Sequence, residues 1–203
     1  MKLGQFFHLP NQLTLLRMIF LPFIVLSLLG GHNEWALGLF VAAGITDFFD
    51  GQLARRLHQQ TMLGQYLDPI ADKMLMSTMF LVLSVLHRIP WKFTVVVFGR
   101  DISILLVSAL LYVTANLRDF RPSVFGKANT TSQVLAVFLV LLLPVYRAEW
   151  IYVARLIALW ATFAFTIISG VHYAFLGIQR LHAVEQQHPS AGNKASNRPS
   201  AVD

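Results

Sequence analysis

Residues 46–55, TDFFDGQLAR, are followed by two further aspartates, Asp68 and Asp72, in a chain that is otherwise strongly apolar. Together with Asp47 and Asp50, they place four carboxylates in sequence of the kind that enters membranes. On the insertion scale, an aspartate at the centre of a membrane helix costs about 2.5–3.5 kcal/mol. Such a concentration of carboxylates therefore indicates a site that binds something positively charged.

The composition indicates an integral membrane protein. Hydrophobic residues make up 56% of the 203 residues and charged residues only 13%, and the mean hydropathy is +0.59. The absence of cysteine excludes a disulfide framework, a thiol nucleophile and a Cys-based metal site. The net charge of +6 comes mostly from basic residues that flank apolar runs. Anionic lipid headgroups explain that pattern, so we expect no nucleic acid partner.

The apolar runs predict an all-α fold, an integral membrane bundle of six transmembrane helices with an N-terminal interfacial segment. We expect residues 1–11 to form an interfacial lead-in, residues 12–178 the membrane domain, and residues 179–203 a disordered polar tail. The predicted spans cover about residues 13–29, 35–57, 66–86, 91–113, 131–145 and 151–176.

The distribution of lysine and arginine predicts the orientation of the bundle. With a cytoplasmic N-terminus, the cytoplasmic segments contain Lys2, Arg55, Arg56, Arg118, Arg121, Lys127, Arg180, Lys194 and Arg198. The outer segments contain only Arg88, Lys92 and Arg147. The positive-inside rule therefore favours both termini in the cytoplasm, with the site facing it, and a bacterial inner membrane is the expected location.

Helical spacing gathers the carboxylates onto two helix faces. The residues on one face of each helix are Asp47, Asp50, Gly51 and Ala54 on the second, and Gly64, Asp68 and Asp72 on the third. Because the connection between these helices is short, we expect them to be antiparallel neighbours whose acidic faces meet. Oxygen ligands in this arrangement suit Mg²⁺ or Mn²⁺ better than zinc, which prefers nitrogen and sulfur.

The residues beside the carboxylates predict a ligand that carries phosphate. Gly51 and Ala54 leave space for a ligand to approach the backbone closely. Arg55 supplies a planar positive fork that suits a phosphate near the metal. We expect the site to be a pocket in the cytoplasmic half of the bilayer, where a soluble nucleotide and a lipid tail can both reach it.

The spacing D-x2-D-G-x2-A-R-x8-G-x3-D-x3-D over residues 47–72 resembles the defining pattern of the CDP-alcohol phosphotransferase family, and all eight fixed positions match. The resemblance covers about residues 9–177. The opening Pro10-Asn11-x2-Thr14-x2-Arg17 is similar to the first helix of the branch that contains phosphatidylglycerophosphate synthases and eukaryotic-type cardiolipin synthases.

The resemblance implies an enzyme that moves a phosphatidyl group from CDP-diacylglycerol to a glycerol-type alcohol and releases CMP. Asp47, Asp50 and Asp68 would hold a pair of divalent ions, Mg²⁺ or Mn²⁺, against the diphosphate of the donor. Asp72 would complete the ligand set and act as general base toward the acceptor hydroxyl. A homodimer in the lipid bilayer is also implied.

The resemblance assigns further residues to the two substrates. Donor binding is expected of Gly51, Ala54, Arg55, Gly64, Asn11 and Thr14. Acceptor binding is expected of Lys127, Arg118, Arg121 and Arg100. Simpler interpretations stay open for several basic residues, since Arg118, Arg121 and Lys127 also fit the positive-inside pattern. Arg100 and Asp101 also fit a buried structural pair, and Lys73 fits either a counter-ion for Asp72 or a substrate contact.

The acceptor itself is left open between two compounds. Phosphatidylglycerophosphate synthases usually have Arg-Glu in the fourth span and Lys-x-Lys-Thr at the start of the fifth, whereas this chain has Arg100-Asp101 and, at residues 127–130, KANT. Arg-Asp and Lys-x-Asn-Thr are more similar to the eukaryotic-type cardiolipin synthases, which use phosphatidylglycerol to give cardiolipin. Glycerol-3-phosphate, which gives phosphatidylglycerophosphate, stays an almost equal alternative. Loss of the second lysine weakens a pocket for a small dianion, but both acceptors present a glycerol hydroxyl.

Two other function classes use carboxylates inside the membrane. A membrane prenyltransferase binds Mg²⁺ through aspartates, but it normally has more spans and does not require the segment from Gly51 to Arg55. A cation transporter also uses intramembrane carboxylates, but it has no need for nucleotide-sized space beside them.

Overall fold

The computed structural model describes residues 9–57, 62–115 and 124–187. Every regular element in these ranges is an α-helix. The helices are α1 (Leu9–Leu29), α2 (Asn33–Leu57), α3 (Met62–Val85), α4 (Trp91–Ala115), α5 (Val124–Tyr146) and α6 (Glu149–Gln187). The predicted all-α class is therefore confirmed for this part of the chain.

Several helix boundaries differ from the prediction, and three of these differences concern the expected segments or the site. Helix α1 begins at Leu9, inside the segment expected to be interfacial, and residues 1–8 lie outside the described ranges. Helix α5 begins at Val124, so Lys127 lies in its first turn and not in a loop. Helix α6 continues to Gln187, through residues 179–187 of the predicted tail, because this polar stretch contains neither proline nor glycine to end the helix. The tail prediction stays untested for residues 188–203.

Tight turns end α1 and α3. After α1, Gly31 has a φ of 77°, and the amide of His32 donates to the carbonyl of Ser27 at 2.8 Å. After α3, His87 has a φ of 55°, and the amide of Arg88 donates to the carbonyl of Leu83 at 2.8 Å. Both arrangements satisfy helix carbonyls through a left-handed residue, which lets the chain reverse within a few residues.

The helices form two groups that pack against each other. Helix α1 packs against both α2 and α3, and α6 packs against both α4 and α5. Contacts of α5 with α2 and α3, and of α3 with α4, join the groups. The buried apolar core includes Ile24, Leu28, Phe40, Met79, Phe80, Leu83, Val137, Leu141, Ile151 and Leu159.

The outer surface of the bundle carries many large apolar side chains. Exposed examples are Ile19, Phe23 and Leu26 on α1, Leu105 and Leu106 on α4, and Ile157, Ile168 and Val171 on α6. Soluble monomers rarely expose large areas of apolar surface. Two helical segments of the described chain, Gly126–Tyr146 and Glu149–Tyr173, are long and apolar enough to cross a membrane.

Candidate active site

A buried arginine joins two of the predicted aspartates. Arg17 on α1 is 1% exposed, and its Nη1 donates to Oδ1 of Asp72 on α3 at 2.6 Å. Its Nη2 donates to Oδ1 of Asp47 on α2. The guanidinium fork, with its separate N–H donors, suits this bridging of carboxylates from two helices.

This bridge corrects the expected contact between α2 and α3. We expected these helices to pack directly, but in the described residues each has its most extensive contacts with α1. Of the two acidic faces, Asp47 and Asp72 come together because Arg17 of α1 bonds both of them. The reason is electrostatic, since like-charged carboxylates repel one another and a cation between them removes that repulsion.

The two bridged carboxylates are also open to a cavity. The side chains of Asp47 and Asp72 are 45% and 51% exposed. They line a cavity of about 560 Å³ together with Arg17, Lys73 and Gln133. Ligands that enter this cavity can therefore reach both carboxylates, although the arginine that holds them is buried.

The remaining predicted residues of the motif lie on the same two helices. Asp50 follows Asp47 by three residues on α2, and Asp68 precedes Asp72 by four on α3. The described part of the structure does not include the side chains of Asp50, Asp68, Ala54, Arg55, Asn11 and Thr14, nor the surroundings of Gly51 and Gly64. Arg118 and Arg121 lie outside the described residues altogether.

The described donors fit a hard divalent cation. Asp47 and Asp72 bring carboxylate oxygens from two helices to the same guanidinium and remain half exposed there. Oxygen donors of this kind are the ligands that Mg²⁺ and Mn²⁺ take. Among the described side chains, no group of three acidic or histidine residues comes together. A complete ligand set would therefore need further carboxylates beside Asp47 and Asp72.

A second cavity, of about 470 Å³, lies beside the first. Its polar lining includes Lys73, Arg100, Asp101, Lys127 and Thr130, and two of these, Lys73 and Thr130, also line the first cavity. The shared residues make the two cavities neighbours along α3 and α5. Of the predicted acceptor residues, Arg100 and Lys127 are thus brought together beside the carboxylates.

An ion-pair network holds two of the cations that line the second cavity, Lys73 and Arg100. Asp101 contacts Lys73, and it accepts a hydrogen bond of 2.8 Å from Nη1 of Arg100. Arg100 also donates to Oγ of Ser169 on α6 at 2.9 Å, and its guanidinium lies 5.8 Å from the ring centroid of Tyr173. Arg100 is therefore a buried structural partner and a cavity residue at once, so the two interpretations of the sequence are compatible. Lys73 pairs with Asp101 of α4.

The sequence did not predict the buried polar residues Gln133 and Asn129 of α5, or the contact of Asn129 with Thr166 of α6. Gln133 is 3% exposed and lines the first cavity, and its Nε2 has no hydrogen-bond partner among the described residues. Asn129 is fully buried and accepts a hydrogen bond of 2.8 Å from Thr166. One signal for Gln133 was present in the sequence. Lys127, Thr130 and Gln133 follow one another at intervals of three residues, so each lies beside the next on the surface of α5.

Comparison with known proteins agrees with this geometry. Residues 7–168 match the family model described as CDP-alcohol phosphatidyltransferase. The chain is 34% identical over 188 residues to a protein named probable phosphatidylglycerophosphate synthase from Mycobacterium tuberculosis (strain ATCC 25618 / H37Rv), covering 88% of this chain and 86% of that one.

Two further relatives carry different names. Over 185 residues the chain is 30% identical to the CDP-diacylglycerol–glycerol-3-phosphate 3-phosphatidyltransferase of Bacillus subtilis (strain 168), covering 82% of this chain and 93% of the relative. Over 186 residues it is 32% identical to the cardiolipin synthase (CMP-forming) of Homo sapiens, covering 81% of this chain and 59% of the relative. The chain belongs to the CDP-alcohol phosphatidyltransferase family.

Proposed function

We propose that this protein transfers the phosphatidyl group of CDP-diacylglycerol to a glycerol-type alcohol and releases CMP. The observation that carries the proposal is the meeting of Asp47 and Asp72, from α2 and α3, at the wall of an open cavity. Phosphoryl-type transfer needs little covalent chemistry from the protein and depends on positioning and charge. Carboxylates gathered beside a cavity supply the charge, and the neighbouring cations supply the positioning.

The metal ligands are proposed to be Asp47, Asp50, Asp68 and Asp72. Dependence on divalent metal is general for the family, and we propose two ions, Mg²⁺ or Mn²⁺, at this site. When bound, these ions neutralise charge on the diphosphate and on the leaving CMP. The half-exposed carboxylates of Asp47 and Asp72 support this assignment, because both remain accessible from the cavity.

Asp72 is proposed to act as the general base. It takes the proton of the acceptor hydroxyl, whose oxygen forms a bond to the β-phosphorus as the bond between that phosphorus and the CMP oxygen breaks. Its position supports this role, because Asp72 lines the cavity and its chain neighbour Lys73 lines both cavities. A base must lie within hydrogen-bond reach of the proton that it removes.

The donor is proposed to bind along α1, α2 and the start of α3. Arg55 contacts its phosphates, Gly51, Ala54 and Gly64 leave room for it, and Asn11 and Thr14 contact its nucleotide end. The buried amide of Gln133 supports a polar ligand in the first cavity, since a buried donor needs an acceptor.

The acceptor is proposed to bind in the second cavity. Lys127 and Arg100 attract its phosphate there, with Arg118 and Arg121 adding positive charge from the sequence that precedes α5. Lys73, Arg100 and Lys127 outnumber Asp101 among the charged lining residues, which supports an anionic ligand. Ile104 and exposed Leu105 complete the lining, which also suits a lipid. Glycerol-3-phosphate and phosphatidylglycerol both satisfy these requirements.

We further propose that the protein crosses a bacterial inner membrane six times as a homodimer, with both termini and the active site on the cytoplasmic side. Support comes from the apolar outer surface and from the excess of lysine and arginine in the proposed cytoplasmic segments. Charged residues interrupt the apolar runs of α2, α3 and α4. Those whose side chains the structure describes in these helices and that belong to the site line the cavities: Asp47, Asp72, Lys73, Arg100 and Asp101.

Incubation of purified protein with CDP-diacylglycerol, Mn²⁺ and one acceptor at a time tests the proposal. We expect CMP release that requires an alcohol, with the phospholipid product identifying the acceptor. Glu149→Gln changes an exposed residue in the first turn of α6 and controls for the effect of a surface mutation. It should release CMP as wild type does. Absence of CMP with every glycerol-type acceptor would remove the proposal and return attention to prenyl transfer or cation transport.

A further inference from the structure

Arg17 is a buried charge at the proposed metal site. Its side chain is 1% exposed, although arginine is almost never fully buried unless it is paired. Arginine also stays protonated at any accessible pH, so it cannot relieve its burial by losing a proton. The carboxylates of Asp47 and Asp72 therefore compensate a permanent positive charge.

Neighbouring cations do not replace Arg17 in this position. Lys73 follows Asp72 in the chain, but its Nζ contacts Asp101 of α4 and its side chain is 50% exposed. Arg100 is engaged by Asp101 and Ser169. Arg17 is thus the buried cation that the described structure places directly on oxygens of the proposed metal ligands.

We propose that Arg17 is a built-in counter-ion that holds Asp47 and Asp72 together in the metal-free protein and competes with the divalent ions for their oxygens. This inference rests on the proposed metal site. Without metal, the guanidinium removes the mutual repulsion of the two carboxylates and keeps α1, α2 and α3 in register. A divalent ion at the same oxygens repels the guanidinium and has to displace its hydrogen bonds.

The competition has two thermodynamic consequences. Removal of the guanidinium destabilises the metal-free protein, because the carboxylates then face each other without a cation. The same removal strengthens metal binding, because the ion no longer displaces hydrogen bonds or meets a fixed positive charge. A merely structural arginine would have the first consequence without the second.

The test compares purified full-length wild type with Arg17→Gln and Arg17→Lys by Mn²⁺ titration calorimetry and by thermal unfolding in EDTA and in Mn²⁺. We expect Arg17→Gln to bind Mn²⁺ roughly tenfold more tightly. Its melting temperature should fall in EDTA, and Mn²⁺ should raise it more than in wild type. Arg17→Lys should lie between the two, because a single ammonium cannot bridge both carboxylates in the same way.

Arg147→Gln is the matched control, because it removes the same charge from the exposed turn between α5 and α6. Its Mn²⁺ affinity should equal that of wild type. If wild type binds no Mn²⁺, the proposed metal site fails. If wild type binds Mn²⁺ while Arg17→Gln binds it equally or more weakly, only the counter-ion inference fails. If neither Arg17 variant folds even with Mn²⁺, Arg17 is a structural residue and the inference is overturned.

Discussion

Lys73 of α3 forms an ion pair with Asp101 of α4, and both residues line the second cavity. Lys73 also lines the first cavity, directly after the proposed base Asp72. Asp101 binds Arg100 as well, so one carboxylate holds two cations at the boundary between the proposed donor and acceptor sites. The ion-pair network therefore links α3 to α4 and also positions two cations in the proposed substrate sites.

Asp101→Asn tests the structural side of this network. Its loss of charge leaves Arg100, whose side chain is only 8% exposed, without its carboxylate, so we expect destabilisation of about 1–3 kcal/mol. Denaturant unfolding in detergent measures the change. Ser103→Ala, an exposed change on the same helix, is the control and should be close to neutral. Unchanged stability of Asp101→Asn would show that the ion pairs contribute nothing.

Asp72→Asn tests the assignment of the general base. The amide cannot accept the hydroxyl proton, so turnover should fall by about 10²–10⁴-fold, the range of general base catalysis. Binding of Mn²⁺ and CDP-diacylglycerol should fall far less than turnover, because Asp47, Asp50 and Asp68 remain as proposed ligands and the amide oxygen can still coordinate a metal ion. Calorimetry and single-turnover CMP release measure the two properties separately. Near-normal turnover in this variant would refute the assignment.

Lys127→Gln tests the acceptor site. Lys127 is exposed in the first turn of α5 and lines the second cavity with Arg100. Loss of its charge should raise KM for the anionic acceptor by roughly tenfold, about 1.4 kcal/mol, while KM for CDP-diacylglycerol changes little. Steady-state kinetics with each substrate varied in turn makes the distinction, and Arg147→Gln serves as the charge-matched control. Equal increases for both substrates would argue against a separate acceptor cavity.

Thr166→Val tests the buried polar contact between α5 and α6. Thr166 donates to Asn129 at 2.8 Å, and both side chains are buried. Valine fills similar space but leaves the amide oxygen of Asn129 without this donor, so we expect a loss of about 1 kcal/mol. Thermal unfolding measures it against Thr131→Val, an exposed change on α5. A stability equal to that of wild type would mean that the contact is dispensable.

The helices could be predicted from the sequence, and so could the placing of the acidic residues on two of them, because both depend on local spacing. The predicted end of the first span at residue 29 agrees with the end of α1, and Gly31 supplies the left-handed residue that follows it. The ion pairs of Arg17 and Lys73 could not be predicted in the same way. Their partners lie on other helices, and which helix supplies the partner depends on packing that spacing does not encode.

The same limit explains why direct packing of α2 against α3 was predicted. A short connection suggested direct packing, but α1 supplies the largest contact of both helices in the described residues. In the sequence, Arg17 stood out only as the last residue of the motif Pro10-Asn11-x2-Thr14-x2-Arg17. Its contacts with Asp47 and Asp72 became evident from the structure.

Metal-dependent CMP release is the most direct measurement of the central claim, which is that carboxylates from α2 and α3 form a divalent metal site for phosphatidyl transfer. CMP is quantified for wild type with CDP-diacylglycerol and either glycerol-3-phosphate or phosphatidylglycerol, in EDTA and after Mg²⁺ or Mn²⁺ is added back. We predict no release in EDTA, full recovery with metal, and no recovery for Asp47→Asn. Release that continues undiminished in EDTA, or in Asp47→Asn, would contradict the account.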